Sequence, residues 1–152
     1  MCGKHVDDLK VGGESHMVQK LRTSLEAVFG KLKFSLKKFT NVGIRHVQHE
    51  DGTVETDQTE YVNAIQTIPP EVYSGKRGDE KCTEQQMSML WSLVGALGYA
   101  MITQVHMLVY VVSLQRQQRD ASIIHLRRAN ALVRHMQRYP RTLRYRAMQC
   151  SR

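Results

Sequence analysis

Asp7 and Asp8 stand side by side in "GKHVDDLKVGG", residues 3 to 13, between the Val6 and Leu9 of a short apolar pattern. Adjacent like charges repel and aspartate is a poor strand former, so the pair belongs at a turn or beside bound cations. A turn that projects two carboxylates from a β-hairpin is one way to hold divalent metal for phosphoryl transfer. Two Mg²⁺ ions ~4 Å apart would stabilise an attacking 3′ hydroxyl and a leaving pyrophosphate, and Mg²⁺ prefers hard oxygen ligands. On its own, an Asp-Asp pair is far more often a solvated turn than a metal site.

The basic residues offer a second chemistry. Lys31, Lys33, Lys37 and Lys38 follow one another closely, and Arg127, Arg128, Arg134 and Arg138 recur near the end of the chain, followed by Arg141, Arg144 and Arg146. Such clusters suit phosphate contacts, which make binding salt-sensitive, although solvated faces carry the same residues. From Val105 onward there are ten Arg and one acid, Asp120, a local charge of +9; residues 1–104 hold twelve Lys/Arg against thirteen Asp/Glu, a charge of −1. A basic end of this kind suggests nucleic acid, an anionic membrane or an acidic partner. His46 and His49 have H-x-x-H spacing, but in an extended segment they point to opposite faces and no further ligand completes a tetrahedral site. There is no P-loop and no G-x-G-x-x-G.

The elements that position these groups follow from spacing. Ser15 is placed to cap a helix over Met17, Val18, Leu21, Leu25, Val28 and Phe29, which Gly30 ends. Residues 31–37 alternate Leu32, Phe34 and Leu36 with lysines, predicting a half-buried strand with a basic outer face. "VGIRHVQHEDGTVET" predicts a hairpin closed by a two-residue Asp51-Gly52 turn. Asp57 and Glu60 have capping-box spacing before a short helix reaching about Ile65, and Pro69-Pro70 stops it. Residues 69–82 are a polar connector; Thr83 with Gln86 caps the start of an uncharged run from Gln85 to Gln115. A last helix from Ser122 to about Gln137 gathers Ile124, Leu126, Ala129, Leu132, Val133 and Met136 near one side.

With 152 residues, 41% of them hydrophobic, the chain can bury a core without disulfides or a structural metal. Three dispersed cysteines and an acidic start without an apolar segment predict reduced thiols in a cytoplasmic or nuclear setting, and no secretory signal. The uncharged run is long enough to span a bilayer, a small membrane protein anchored by residues 86–114 being the alternative. Gln104 and His106 at its middle, with Ser88, Ser92, Thr103 and Ser113 spread through it, predict instead two buried helices and no membrane partner.

The order of segments adds a resemblance. "HVDDLKVGG", the helix, the "FTNVGIRHVQHEDGTVETDQTEYVNAI" hairpin and helix, "SLVGALGYAMIT" and "IIHLRRANALVRHMQRYP" together resemble, over roughly residues 4 to 140, the C-terminal part of the reverse transcriptase of copia-type retrotransposon Pol polyproteins. The first piece is similar to the family's aromatic-Val-Asp-Asp-Leu signature, and "SLVGALGY" to its Ser-Leu-Val-Gly-x-Leu-x-Tyr helix. Gly43 and Ile44 match the end of its Phe-Leu-Gly-Ile element.

The resemblance implies an α+β fold. A β-hairpin and helix remnant of a polymerase palm (residues 1–56) would be followed by a short helix and connector (57–82), a helical thumb and connection (83–140) and a basic tail (141–152). It implies that Asp7 and Asp8 are the catalytic, Mg²⁺-binding pair, that His5 lies beside the primer and nucleotide, and that Lys31, Lys33, Lys37 and Lys38 meet an RNA or DNA template-primer, whereas Arg127, Arg128, Arg134 and Arg138 with Arg141, Arg144 and Arg146 serve the alternative of a nucleic-acid-binding module. It also implies partners outside the chain: an upstream fingers and palm segment with the third metal-binding Asp, and a downstream ribonuclease H domain. His5 replaces the family's aromatic residue, and "TQVH", residues 103–106, replaces Thr-Arg-Pro-Asp. Two carboxylates from one turn cannot enclose two metals, so the piece alone is expected to be inactive. A non-enzymatic, basic helical nucleic-acid-binding module is the alternative.

Overall fold

The computed structural model describes residues 2–5 and 8–147. Its fold is α+β. Strands β1 (Cys2–His5) and β2 (Asp8–Val11) form an antiparallel pair, and α1 (Ser15–Phe29) follows. A four-stranded antiparallel sheet, in sequential order, contains β3 (Lys38–Asn41), β4 (Ile44–Gln48), β5 (Val54–Asp57) and β6 (Leu143–Tyr145). Between β5 and β6 come α2 (Thr59–Ala64), α3 (Glu84–Ala100), α4 (Leu108–Arg116) and α5 (Ile123–Arg138).

The core lies among the last four helices. Val62 of α2, Leu90, Val94 and Leu97 of α3, Val111 of α4, and Leu126, Val133 and Met136 of α5 are buried in one cluster. The capping box that opens α3 is present: the Thr83 hydroxyl accepts from Gln86 N–H at 3.3 Å, and Gln86 Oε1 accepts from Thr83 N–H at 2.8 Å. The uncharged run divides into two helices as its polar middle predicts, and among the described residues no helix is long and apolar enough to cross a membrane. At the break, Thr103 and Gln104 are buried but partnered. The Thr103 hydroxyl donates to Gln58 Oε1 at 3.1 Å, and Gln104 donates to Arg141 O and accepts from Arg141 N–H. These bonds carry the chain after α5 back across the helices, so part of the segment read as a basic tail becomes strand β6, paired with β5.

Four local expectations are corrected. Residues 31–37 do not form a strand: only the last of them reaches across to one, Lys37 O accepting from Gln48 N–H of β4, while Leu36 is 68% exposed and Lys37 has φ 59°, which breaks extended backbone just before β3. An alternating pattern needs a neighbour whose backbone it can pair with along its length, and among the described residues that one bond at Lys37 is not continued into a ladder. The β4–β5 loop is wider than two residues. His49 N–H donates to Thr53 O, Gly52 at φ 79° donates back to His49 O, and Asp51 Oδ1 accepts from Thr53 N–H. The Asp57–Glu60 capping box is replaced by an Asx turn in which Asp57 Oδ1 accepts from Thr59 N–H at 3.1 Å. Ser15 is the first residue of α1 rather than its cap; that position belongs to Glu14, whose carbonyl accepts from Met17 and Val18 N–H.

Asp57 carries a pH prediction. It is Arg45's cross-strand partner: Oδ2 accepts from Arg45 Nε at 2.7 Å and lies 2.7 Å from the charged Nη2. Burial pushes the Asp57 carboxyl up, but the Thr59 and Arg45 hydrogen bonds outweigh it and hold the carboxyl below the ordinary 3.8. A carboxyl depressed on folding stabilises the fold fully above its unfolded value, and that contribution fades as pH falls through the folded value. Urea midpoints at pH 6 and pH 3 should therefore differ less in Asp57→Asn than in the parent chain, with the variant weaker at pH 6. An unchanged pH dependence in Asp57→Asn would remove Asp57 as a contributor.

Candidate functional site

The β1–β2 hairpin puts its charged sequence at the closed end. Cys2 pairs with Val11, Gly3 with Lys10 and Lys4 with Leu9, and the last register pair is His5 with Asp8. His5 and Asp8 are thus backbone register partners, while Asp7 lies outside the described residues. Among the described residues, no group of three or more His, Cys, Asp or Glu side chains is placed to share a metal ion.

Lys10 ties this hairpin to the larger sheet. Its Nζ lies 3.5 Å from His46 Nδ1 and 5.7 Å from the centre of the Phe39 ring, and Phe39 stacks on His46 with centroids 4.9 Å apart. Burial, with the Lys10 charge adding to it, lowers the His46 pKa below 6.5, so its ring is neutral at pH 7. His49 instead lies 3.2 Å from Glu55. The two histidines of the H-x-x-H spacing therefore serve different neighbours.

The β3–β4 turn joins the sheet to the helices. Asn41 pairs with Ile44, leaving Val42 and Gly43 as a two-residue loop with φ 48° and 69°, the positive pair a type I′ turn requires. The Tyr99 hydroxyl donates to Val42 O, and a β-carbon at Gly43 would sit 3.9 Å from Tyr99 Cε1. Tyr99 meets Tyr61 edge-on with centroids 4.9 Å apart, and the Tyr61 hydroxyl donates to Ala96 O at 3.1 Å. Burial, then Tyr99, raises the Tyr61 pKa above 10, so this hydroxyl stays a neutral donor. Sequence reasoning matched Gly43 and Ile44 to a motif but missed this aromatic cluster; its local signal was the Val42-Gly43 pair between two extended runs.

A β-branched residue at φ 48° is strained, and Val42 is 42% exposed, so its side chain has little packing to lose. Val42→Asn should therefore stabilise the chain by about 1 kcal/mol, because Asn-Gly is the favoured sequence for this turn and the Tyr99 bond reaches the backbone. A thermal or urea midpoint that falls in Val42→Asn would overturn this.

The predicted basic residues do not share one patch. Lys31, Lys33, Lys37 and Lys38 are exposed along an irregular segment and the start of β3, not along one strand face. On α5, Arg127 is half-buried: its Nη2 donates to Lys76 O at 2.7 Å and its guanidinium lies 6.0 Å from the Tyr73 ring centre, so it braces the connector. Arg128, Arg134 and Arg138 are exposed; Arg128 lines a groove between α4 and α5, and Arg138 lies over the Tyr139 ring at 5.5 Å. The acid-bearing hairpin and the arginine-bearing helix are thus on different parts of the fold.

Comparisons of the chain with protein-family models, with curated proteins and with solved structures return no match.

Proposed function

We propose that this chain is the palm end, thumb and connection of a copia-type RNA-directed DNA polymerase, carrying its Asp-Asp turn and inactive alone. The observation that carries the reading is the contact between two separately matched pieces. The Gly43-Ile44 element and the "SLVGALGY" helix are well separated in sequence, yet the Val42-Gly43 turn seats on Tyr99 at the end of that helix, 57 residues from Val42. The antiparallel register that pairs His5 with Asp8 supports the hairpin this reading requires on either side of the Asp-Asp pair.

Mg²⁺ would supply charge stabilisation of the transferring phosphoryl group. The residues present do not fit a complete two-metal site, since two carboxylates adjacent in sequence, Asp7 and Asp8, cannot enclose two metals between them. What this chain contributes is therefore part of the ligand set, with polymerisation depending on residues from another segment.

Primer extension on an RNA template with Mg²⁺ tests the reading. The chain alone should give none, the chain joined to an upstream fingers and palm segment of the same family should extend, and Asp7→Asn with Asp8→Asn should abolish that extension. Extension that survives both substitutions would end the proposal. The second reading, a non-enzymatic nucleic-acid-binding module, is favoured by one specific observation: an acid-free, partly aromatic face on α4 and α5.

A further inference from the structure

Between α4 and α5 lies a groove of about 360 Å³, lined by Tyr110, Ser113, Leu114, His125, Arg128 and Leu132. Tyr110 is 59% exposed, and Arg128 is exposed beside it. His125, Arg128, Leu132, His135 and Tyr139 recur at intervals of three and four, so they form one stripe along α5 and its end. The stripe continues as rings: His106 lies 6.2 Å from His135, and His135 lies 5.0 Å from Tyr139, which the Arg138 guanidinium covers. Burial, then Arg141 and His135 nearby, lowers the His106 pKa below 6.5, so that ring is neutral at pH 7.

Neither α4 nor α5 carries an acid. The one acid after Val105, Asp120, is paired with Lys81. The face is therefore cationic and aromatic, and the one acid near it, Asp120 beside His125, has its charge offset by Lys81, which leaves the groove complementary to a nucleic-acid strand. The cavity has room for a nucleobase and none for a duplex.

We propose that this groove is a subsite for single-stranded nucleic acid, in which one base stacks on Tyr110 against Leu132 and the adjoining phosphate meets Arg128. Ser113 and His125 offer polar atoms at the edge of the base, and the His135, His106 and Tyr139 rings extend the track towards Arg141. The subsite does not depend on the polymerase reading: it uses neither Asp7 nor Asp8 and needs no metal.

The test is fluorescence anisotropy of the full chain in EDTA with a labelled oligothymidine of roughly 15 nucleotides, and with the matching duplex, over a salt series. Single strand should bind more tightly than duplex. Tyr110→Ala should weaken it about tenfold with the salt slope unchanged, Tyr110→Phe should retain it and Tyr110→Leu should lose it. Arg128→Ala should reduce the salt slope by about one, while Arg134→Ala, which removes the same charge from the far side of α5, should change affinity less than about twofold. Circular dichroism checks that each variant is folded, and the Phe and Leu variants decide the matter if Ala does not fold. No binding at low salt, equal affinity for duplex, equal losses for Arg128→Ala and Arg134→Ala, or a dimer that hides Tyr110 would each overturn the proposal. Failure of primer extension by the joined chain leaves it standing.

Discussion

Asn130→Ala is expected to lower the unfolding free energy by about 2–4 kcal/mol, read from urea denaturation. Asn130 is fully buried on α5, where its Oδ1 accepts from Ile68 N–H at 2.8 Å and its Nδ2 donates to Ile68 O at 2.7 Å and to the Tyr73 hydroxyl at 3.1 Å. The side chain thus satisfies both backbone groups of one residue in the segment between α2 and Pro70. Truncation leaves a donor and an acceptor buried without partners, each costing about 1–3 kcal/mol, and adds a small cavity. Asn130→Asp should be worse than Ala, because a carboxylate facing the Ile68 carbonyl is repelled and an unpaired charge is buried. A loss below about 1 kcal/mol for Asn130→Ala would mean that water or a shift of the segment satisfies Ile68 instead.

Leu97→Ala is expected to cost a further large amount, about 2–5 kcal/mol, while Val28→Ala stays within about 0.5 kcal/mol. Leu97 is fully buried in the helical core. Val28 is 74% exposed on α1, a helix with no buried residue at all. The same urea series measures both. A cost for Val28→Ala approaching that for Leu97→Ala would show that another segment or chain covers α1 in solution, and would revise the account of α1 as an uncovered helix.

That contrast marks where local pattern sufficed and where it did not. The helix over residues 15 to 29 was legible because Met17, Leu21, Leu25 and Val28 keep helical spacing and Gly30 takes φ 77° at its end. Helical spacing states which face is apolar, not whether anything packs on it; Met17 and Phe29 are in fact 56% and 73% exposed. Residues 31–37 fail for the related reason that strand alternation promises a continuous ladder, whereas only Lys37 bonds across to another described strand. Thr83 and Gln86 succeed because both partners of a capping box lie within four residues. Asn130 was invisible, since its partner Ile68 is 62 residues away and a polar residue on an amphipathic helix reads as surface.

By itself the sequence determined the helices over residues 15–29 and 123–138, the start of a helix at Thr83, the division of the uncharged run, and the hairpin strands around Asp51, because each depends on contacts within a few residues. The charge division at Val105 was equally plain. Tertiary structure decided that β6 returns to pair with β5, that the Val42-Gly43 turn seats on Tyr99, that Arg127 braces the connector while Arg128 lines a groove, and that Tyr110 faces that groove. Those outcomes depend on which surfaces meet across tens of residues, and hydrophobic burial, being non-directional, leaves that choice to packing of the whole chain.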